Sequence, residues 1–205
     1  MIYSQMFKQL HHMFVFRRRV KVLSAELLCM ISPGIKSILD IGCGDGTISK
    51  LIQDHNPLLN ISGIDIMQRQ DSLIPVELYD GKHIPYGDKS FDCCMFVDVL
   101  HHLNEQKEML SECKRVSRRY ILIKDHQYKT VVDFKLLKFM DQVGNKPYGV
   151  GLTYNYLKEV EWEMIFKESG LKLLHKKTAI PIYPFPFSML FGRRLHFVCL
   201  LEIVK

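Results

Sequence analysis

The run Ile38 to Ser49, ILDIGCGDGTIS, constrains this chain more than any other stretch. A short apolar strand passes into a glycine turn and then into apolar positions at helical spacing (Ile48, Leu51, Ile52), so the segment reads strand, turn, helix. Gly42, Gly44 and Gly46 leave no β-carbons where the chain must turn sharply. They let a ligand lie against bare backbone at a helix N-terminus. Such a turn is a site for a nucleotide-type ligand.

Two departures from the dinucleotide fingerprint G-x-G-x-x-G narrow the ligand: the third glycine comes one residue early, and an acid, Asp40, ends the strand just before the turn. A second acid, Asp45, lies inside it. Carboxylates there repel a pyrophosphate but suit a ligand carrying an ammonium and a sulfonium, with its one carboxylate left for backbone N–H groups. S-adenosylmethionine has that charge pattern.

Ile38 to Gly46 resembles the first motif, D-x-G-x-G-x-G, of the class I S-adenosylmethionine-dependent methyltransferases. The resemblance implies a Rossmann-like α/β fold: a doubly wound, mostly parallel seven-stranded sheet with an antiparallel last strand and helices on both faces. It gives Asp40 the methionine amino group and places Gly42, Cys43, Gly44 and Gly46 along the cofactor. Asp65 follows the glycines by about 20 residues at the end of the next apolar run, Ile61 to Ile66, where an acid can accept from both ribose hydroxyls. Ile66 would line the adenine pocket. Asp80 and Gly81, after the short strand Val76 to Tyr79, offer an acceptor to the adenine amino group, although a turn Asp often only caps its own backbone.

The stretch Ile84 to Leu103 (IPYGDKSFDCCMFVDVLHHL) resembles the family's approach to strand four, and by that likeness Asp98, Val99 and His101 lie under the cofactor. Adjacent His101 and His102 raise the question of a metal, but neighbouring histidines point different ways and no third ligand is in register, so no metal is expected. After a helix from Glu105 to Val116 the family carries a K-P-G-G turn. Here Ser117, Arg118 and Arg119 replace it, predicting a shortened loop before a strand from Tyr120 to Ile123 that ends in Lys124, Asp125 and His126. Ligands of open α/β sheets bind outside the strand tips, so the catalytic candidates are His126, with Asp125 beside it, and then His102.

Other regions are read by pattern. Residues 1–34 form an N-terminal helical cap, 35–126 the cofactor half and 127–205 the substrate half of one domain, which at 205 residues buries roughly 70% of its unfolded surface. Pro181, Pro184 and Pro186 interrupt helical period between 178 and 194, so the last strand, Leu195 to Val204, lacks a crossover helix and should run antiparallel. The apolar stretch Ile180 to Phe191 is expected to fold back as core, with a dimer or lipid-facing surface as the alternative. Six cysteines without C-x-x-C spacing fit reduced thiols in a cytoplasmic protein, and no run reaches the ~18 apolar residues of a membrane span.

The net charge of +6 permits an anionic partner but is modest for a nucleic-acid binder. Methyl transfer from S-adenosylmethionine to a small-molecule acceptor, apolar or lipid-like acceptors included, is therefore the expected function. An NAD-type oxidoreductase is opposed by Asp40 and the glycine spacing. A non-catalytic module of the same fold and an RNA methyltransferase remain alternatives, the latter without an N-P-P-Y-type signature on strand four.

Overall fold

The computed structural model describes residues 16–145, 153–192 and 194–204. Helix α1 (Arg17–Met30) leads into β1 (Ser37–Ile41), α2 (Thr47–His55), β2 (Asn60–Asp65), β3 (Val76–Leu78) and β4 (Phe91–Val97). A single 3-10 turn (Leu100–His102), α3 (Gln106–Val116), β5 (Ser117–Tyr128), α4 (Val131–Asn145) and the two-residue β6 (Leu157–Lys158) follow. The chain closes with α5 (Glu159–Glu168), β7 (Leu171–Lys177), α6 (Phe187–Phe191) and β8 (His196–Ile203).

The main sheet has the order β3-β2-β1-β4-β5-β8-β7, with β6 pairing beside the end of β5. β1 to β5 run parallel, whereas β8 is antiparallel to both β5 and β7. The strand order reverses beside β1. At that point the β1 and β4 crossovers leave the sheet in opposite directions and open a crevice over the strand tips.

Sequence alternation assigns the two faces of the sheet. Leu39, Ile41, Cys94, Phe96, Ile121, Ile123, Phe197 and Cys199 point to one side, where they meet Leu110 and Cys113 of α3 and Trp162 and Phe166 of α5. The residues between them, Ile38, Cys93, Met95, Leu122, Val198 and Leu200, point to the other and meet Leu23 and Leu27 of α1 and Ile52 of α2. Because helices cover both faces, the central strands read as continuous apolar runs. Of residues 1–34, expected to form a cap, α1 packs Leu23 and Leu27 into the core, and residues 1–15 lie outside the described residues.

Two local features depart from expectation. The loop between α3 and β5 is absent, since Val116 ends the helix and Ser117 begins the strand. Lys89 substitutes for a turn by donating from Nζ to the carbonyls of Lys114 and Ser117, both at 2.8 Å, and buried Ser117 donates from Oγ to the Asp92 carbonyl at 3.1 Å. The apolar stretch 180–191 divides: Ile180 and Ile182 fold back into the core, whereas Phe185, Phe187, Met189 and Leu190 are exposed, and the expectation of core for the whole stretch is corrected. None of the five residues of α6 is buried.

Candidate active site

β1 ends in Asp40 and Ile41, and the next residues turn back over the strand tips. Gly42, Gly44 and Gly46 take φ of 70°, 61° and 75°, a region that costs other residues roughly 1–2 kcal/mol. A β-carbon on Gly42 would stand 2.7 Å from Val99 Cγ2, and one on Gly46 would stand 2.5 Å from Ile74, so the loop is pressed onto its neighbours. Gly44 has open space instead, on the side a ligand would occupy. Gly42 N donates to the Ile64 carbonyl at 2.8 Å, tying the turn to β2.

Asp40 is 3% exposed and accepts from Ser49 Oγ at 2.6 Å through Oδ2, while its Oδ1 is buried without a hydrogen-bond partner. Burial pushes its pKa up to about 7, with the Ser49 hydrogen bond opposing and the charge of Asp65 adding to the rise. A cavity of about 150 Å³ lies against it, lined by the glycine loop, Thr47, Val97, Phe16 and, from α1, Arg19 and Val20. A buried carboxylate oxygen without a donor beside an open backbone cradle calls for a cationic group. The ammonium of S-adenosylmethionine fits that demand.

Asp65 ends β2 and buttresses the same loop: Oδ2 accepts from Gly44 N at 2.8 Å and Oδ1 from Met67 N at 2.9 Å. Each oxygen keeps a further lone pair for a hydroxyl. Ile66 is 64% exposed at the adjoining rim, within reach of Gly81, which has φ 79°. Asp80 serves its own turn, accepting from the N–H groups of Lys82 and His83 and pairing with the His83 ring at 2.8 Å. Cys43 points away beneath β2, where a β-carbon on Gly63 would meet its Sγ at 2.4 Å.

Beyond the cavity, the tips of β4, β5 and β8 carry a dense polar cluster. Asp98, at φ 59°, pairs with Arg19 and with fully buried Lys124, and against the cost of burial these cations hold its carboxyl well below the usual range. Lys124 Nζ lies 3.2 Å from His196 Nδ1. Asp125 accepts from Leu100 N at 2.9 Å, from His126 N at 2.7 Å and from His101 Nδ1 at 2.6 Å. His126 lies at the same tip, its Nδ1 3.5 Å from His101 Nδ1 and 3.4 Å from Asp98. Burial and the Lys124 charge push its pKa down to about 4, so the ring is neutral near pH 7.

The structure thus brings Asp125, His126, His101 and Asp98 into one cluster, in which Asp125 is entirely buried. The missing third ligand beside His101 and His102 is corrected: Asp141 of α4 approaches both, which spacing along the chain could not show. Sequence reasoning also missed Ser49, Arg19 and His196. Ser49 carried a signal, since a polar residue on the inward face of α2 must find a partner. Arg19 lies in the basic run Arg17 to Arg19, whose pattern alone names no partner for it.

Residues 39–120 match the family model described as a methyltransferase domain. A demethylmenaquinone methyltransferase of Thermotoga maritima is 28% identical over 111 residues, covering 51% of this chain and 46% of that protein. The 27-O-demethylrifamycin SV methyltransferase of Amycolatopsis mediterranei is 29% identical over 94 residues, covering 40% and 34%. The chain therefore spans less than half the length of these curated relatives. A solved S-adenosylmethionine-dependent methyltransferase of Thermotoga maritima superposes with a TM-score of 0.65 at 14% identity, covering 98% of this chain and 96% of its own. With its glycine loop behind Asp40, its strand order and its antiparallel β8, the chain has the fold of the class I S-adenosylmethionine-dependent methyltransferases, and residues 39–120 match their methyltransferase domain.

Proposed function

We propose that this chain moves the methyl group of S-adenosylmethionine to a small-molecule acceptor. The unpartnered Oδ1 of Asp40 facing the glycine cradle carries the reading. Asp40 takes the ammonium, Gly42, Gly44 and Gly46 let the ligand approach bare backbone, and Asp65 takes the ribose. Ile66 and Gly81 border the adenine, with Asp80 shaping that rim through its turn. Asp98, Val99 and His101 support the cofactor from the β4 side. Two relatives are named for demethylmenaquinone and a demethylrifamycin, both small molecules, which supports that class of acceptor.

The cofactor supplies an electrophilic methyl on a sulfonium, and the protein supplies position and a dry site. When a hydroxyl attacks, its proton must leave, and neutral His126 at the β5 tip is the group to take it, with Asp125 fixing the local backbone and His101. His102 is the second candidate for that role. Calorimetry tests the cofactor: S-adenosylmethionine or its demethylated product should bind, and binding of NADH in their place would overturn the reading. Transfer of a tritiated methyl to a panel of hydroxyl-bearing small molecules tests the acceptor class, with bulk RNA as the competing substrate.

A further inference from the structure

Among the described residues three sets of side chains stand close enough to share a cation: Asp98, His126 and His196; His101, Asp125 and His126; and His101, His102 and Asp141. Charge and hydrogen bonding separate them. The first set contains the Asp98 carboxylate already paired with Arg19 and Lys124, and Lys124 touches His196, so two fixed cations oppose a third. In the second, Asp125 is already engaged by two backbone N–H groups and His101. In the third set, both histidines offer an unengaged nitrogen: His101 Nε2 and His102 Nδ1 are buried without a hydrogen-bond partner.

We infer that His101, His102 and Asp141 form a binding site for a divalent cation of the zinc class. One ligand atom from each lies within 4.8 Å of the other two, and two imidazoles with one carboxylate are a donor set that such ions take. His101 is oriented for it. Its Nδ1 proton goes to Asp125 at 2.6 Å, which leaves Nε2 as a bare lone pair, the carboxylate–histidine arrangement that fixes the tautomer of a metal ligand. Asp125 in turn is held by the N–H groups of Leu100 and His126, so the imidazole cannot rotate away.

The surrounding residues are fixed too. Tyr156 stacks on His101 with centroids 5.2 Å apart and an interplanar angle of 21°, and it hydrogen-bonds Asp141. Thr153 Oγ1 and Asn155 N both donate to the His101 carbonyl at 3.2 Å. Three protein ligands leave at least one coordination position for water or for an oxygen of a bound small molecule. The site stands on these residues whether or not the chain transfers methyl groups.

Cobalt is the probe. The untagged full chain, stripped with chelator, should take up one equivalent of Co²⁺ with a visible d–d spectrum lacking a thiolate band, and Zn²⁺ should displace it and raise the melting temperature. Asp141→Asn and His102→Gln should each weaken Co²⁺ binding at least tenfold while the metal-free melting temperature stays within a few degrees. His196→Gln, and replacement of His11 and His12 by Ala, should leave binding intact. Absence of a saturable one-equivalent spectrum, a thiolate band, wild-type affinity in both Asp141→Asn and His102→Gln, or loss of binding with His11 and His12 would each overturn the inference. If one of the two ligand variants does not fold, the other and the wild-type spectrum decide.

Discussion

The proposed cofactor role of Asp40 makes it the most informative carboxyl group to test. Because its folded pKa is raised to about 7 from 3.8, the metal-free, cofactor-free protein should lose stability as pH rises from about 4 to 7 and level off above. Cofactor affinity has the opposite sign, since an ammonium prefers the ionised carboxylate: it should fall by up to tenfold per unit below pH 7, as calorimetry across pH 5.5 to 8 would show at about half-unit steps. Asp40→Asn should remove that dependence and weaken binding by about 1.5–3 kcal/mol, the range for a hydrogen bond to a charged group. His126→Ala belongs to the same scale: at saturating cofactor, turnover should drop roughly 100-fold with cofactor affinity unchanged if the ring takes the acceptor's proton, and unaltered turnover would leave positioning as the whole catalytic account.

Elements matter here through what they press together. α1 buries Leu23 and Leu27 against the sheet and brings Arg19 and Val20 to the cofactor cavity, so its packing and the site are one structure. Leu23→Ala should cost about 2–5 kcal/mol in denaturant unfolding and weaken cofactor binding with it. The contact between β2 and the glycine loop is tighter still. Gly63→Ala would drive a methyl into Cys43 Sγ at 2.4 Å, and a loss of about 1–3 kcal/mol is expected for that overpacking, measured by the same unfolding curve. Trp162 links α5 to the β5 tip, donating from Nε1 to the His126 carbonyl at 2.9 Å, so Trp162→Phe should disturb the polar cluster without opening a large cavity.

The whole molecule should report cofactor binding as stability, because a ligand at the glycine loop bridges α1, β1, α2 and β2. At 100 times its dissociation constant S-adenosylmethionine should add about 2.7 kcal/mol to unfolding, and Asp40→Asn should shrink that increment at the same concentration. Among the described residues no helix is long and apolar enough to cross a membrane. The sequence by itself determined the glycine turn, because positive φ at alternate residues and an acid at a strand end are local demands that only certain residues meet. It determined the antiparallel β8 as well, since a proline-broken connection cannot carry a crossover helix. Only the tertiary structure decided the polar cluster. Arg19, Asp98, Lys124, Asp125, Asp141 and His196 come from five separate segments, and their charges have meaning only at the distances the sheet and its flanking helices impose. The split of residues 180–191 into a buried half and an exposed α6 was likewise a matter of what lay beneath each part, which composition cannot state.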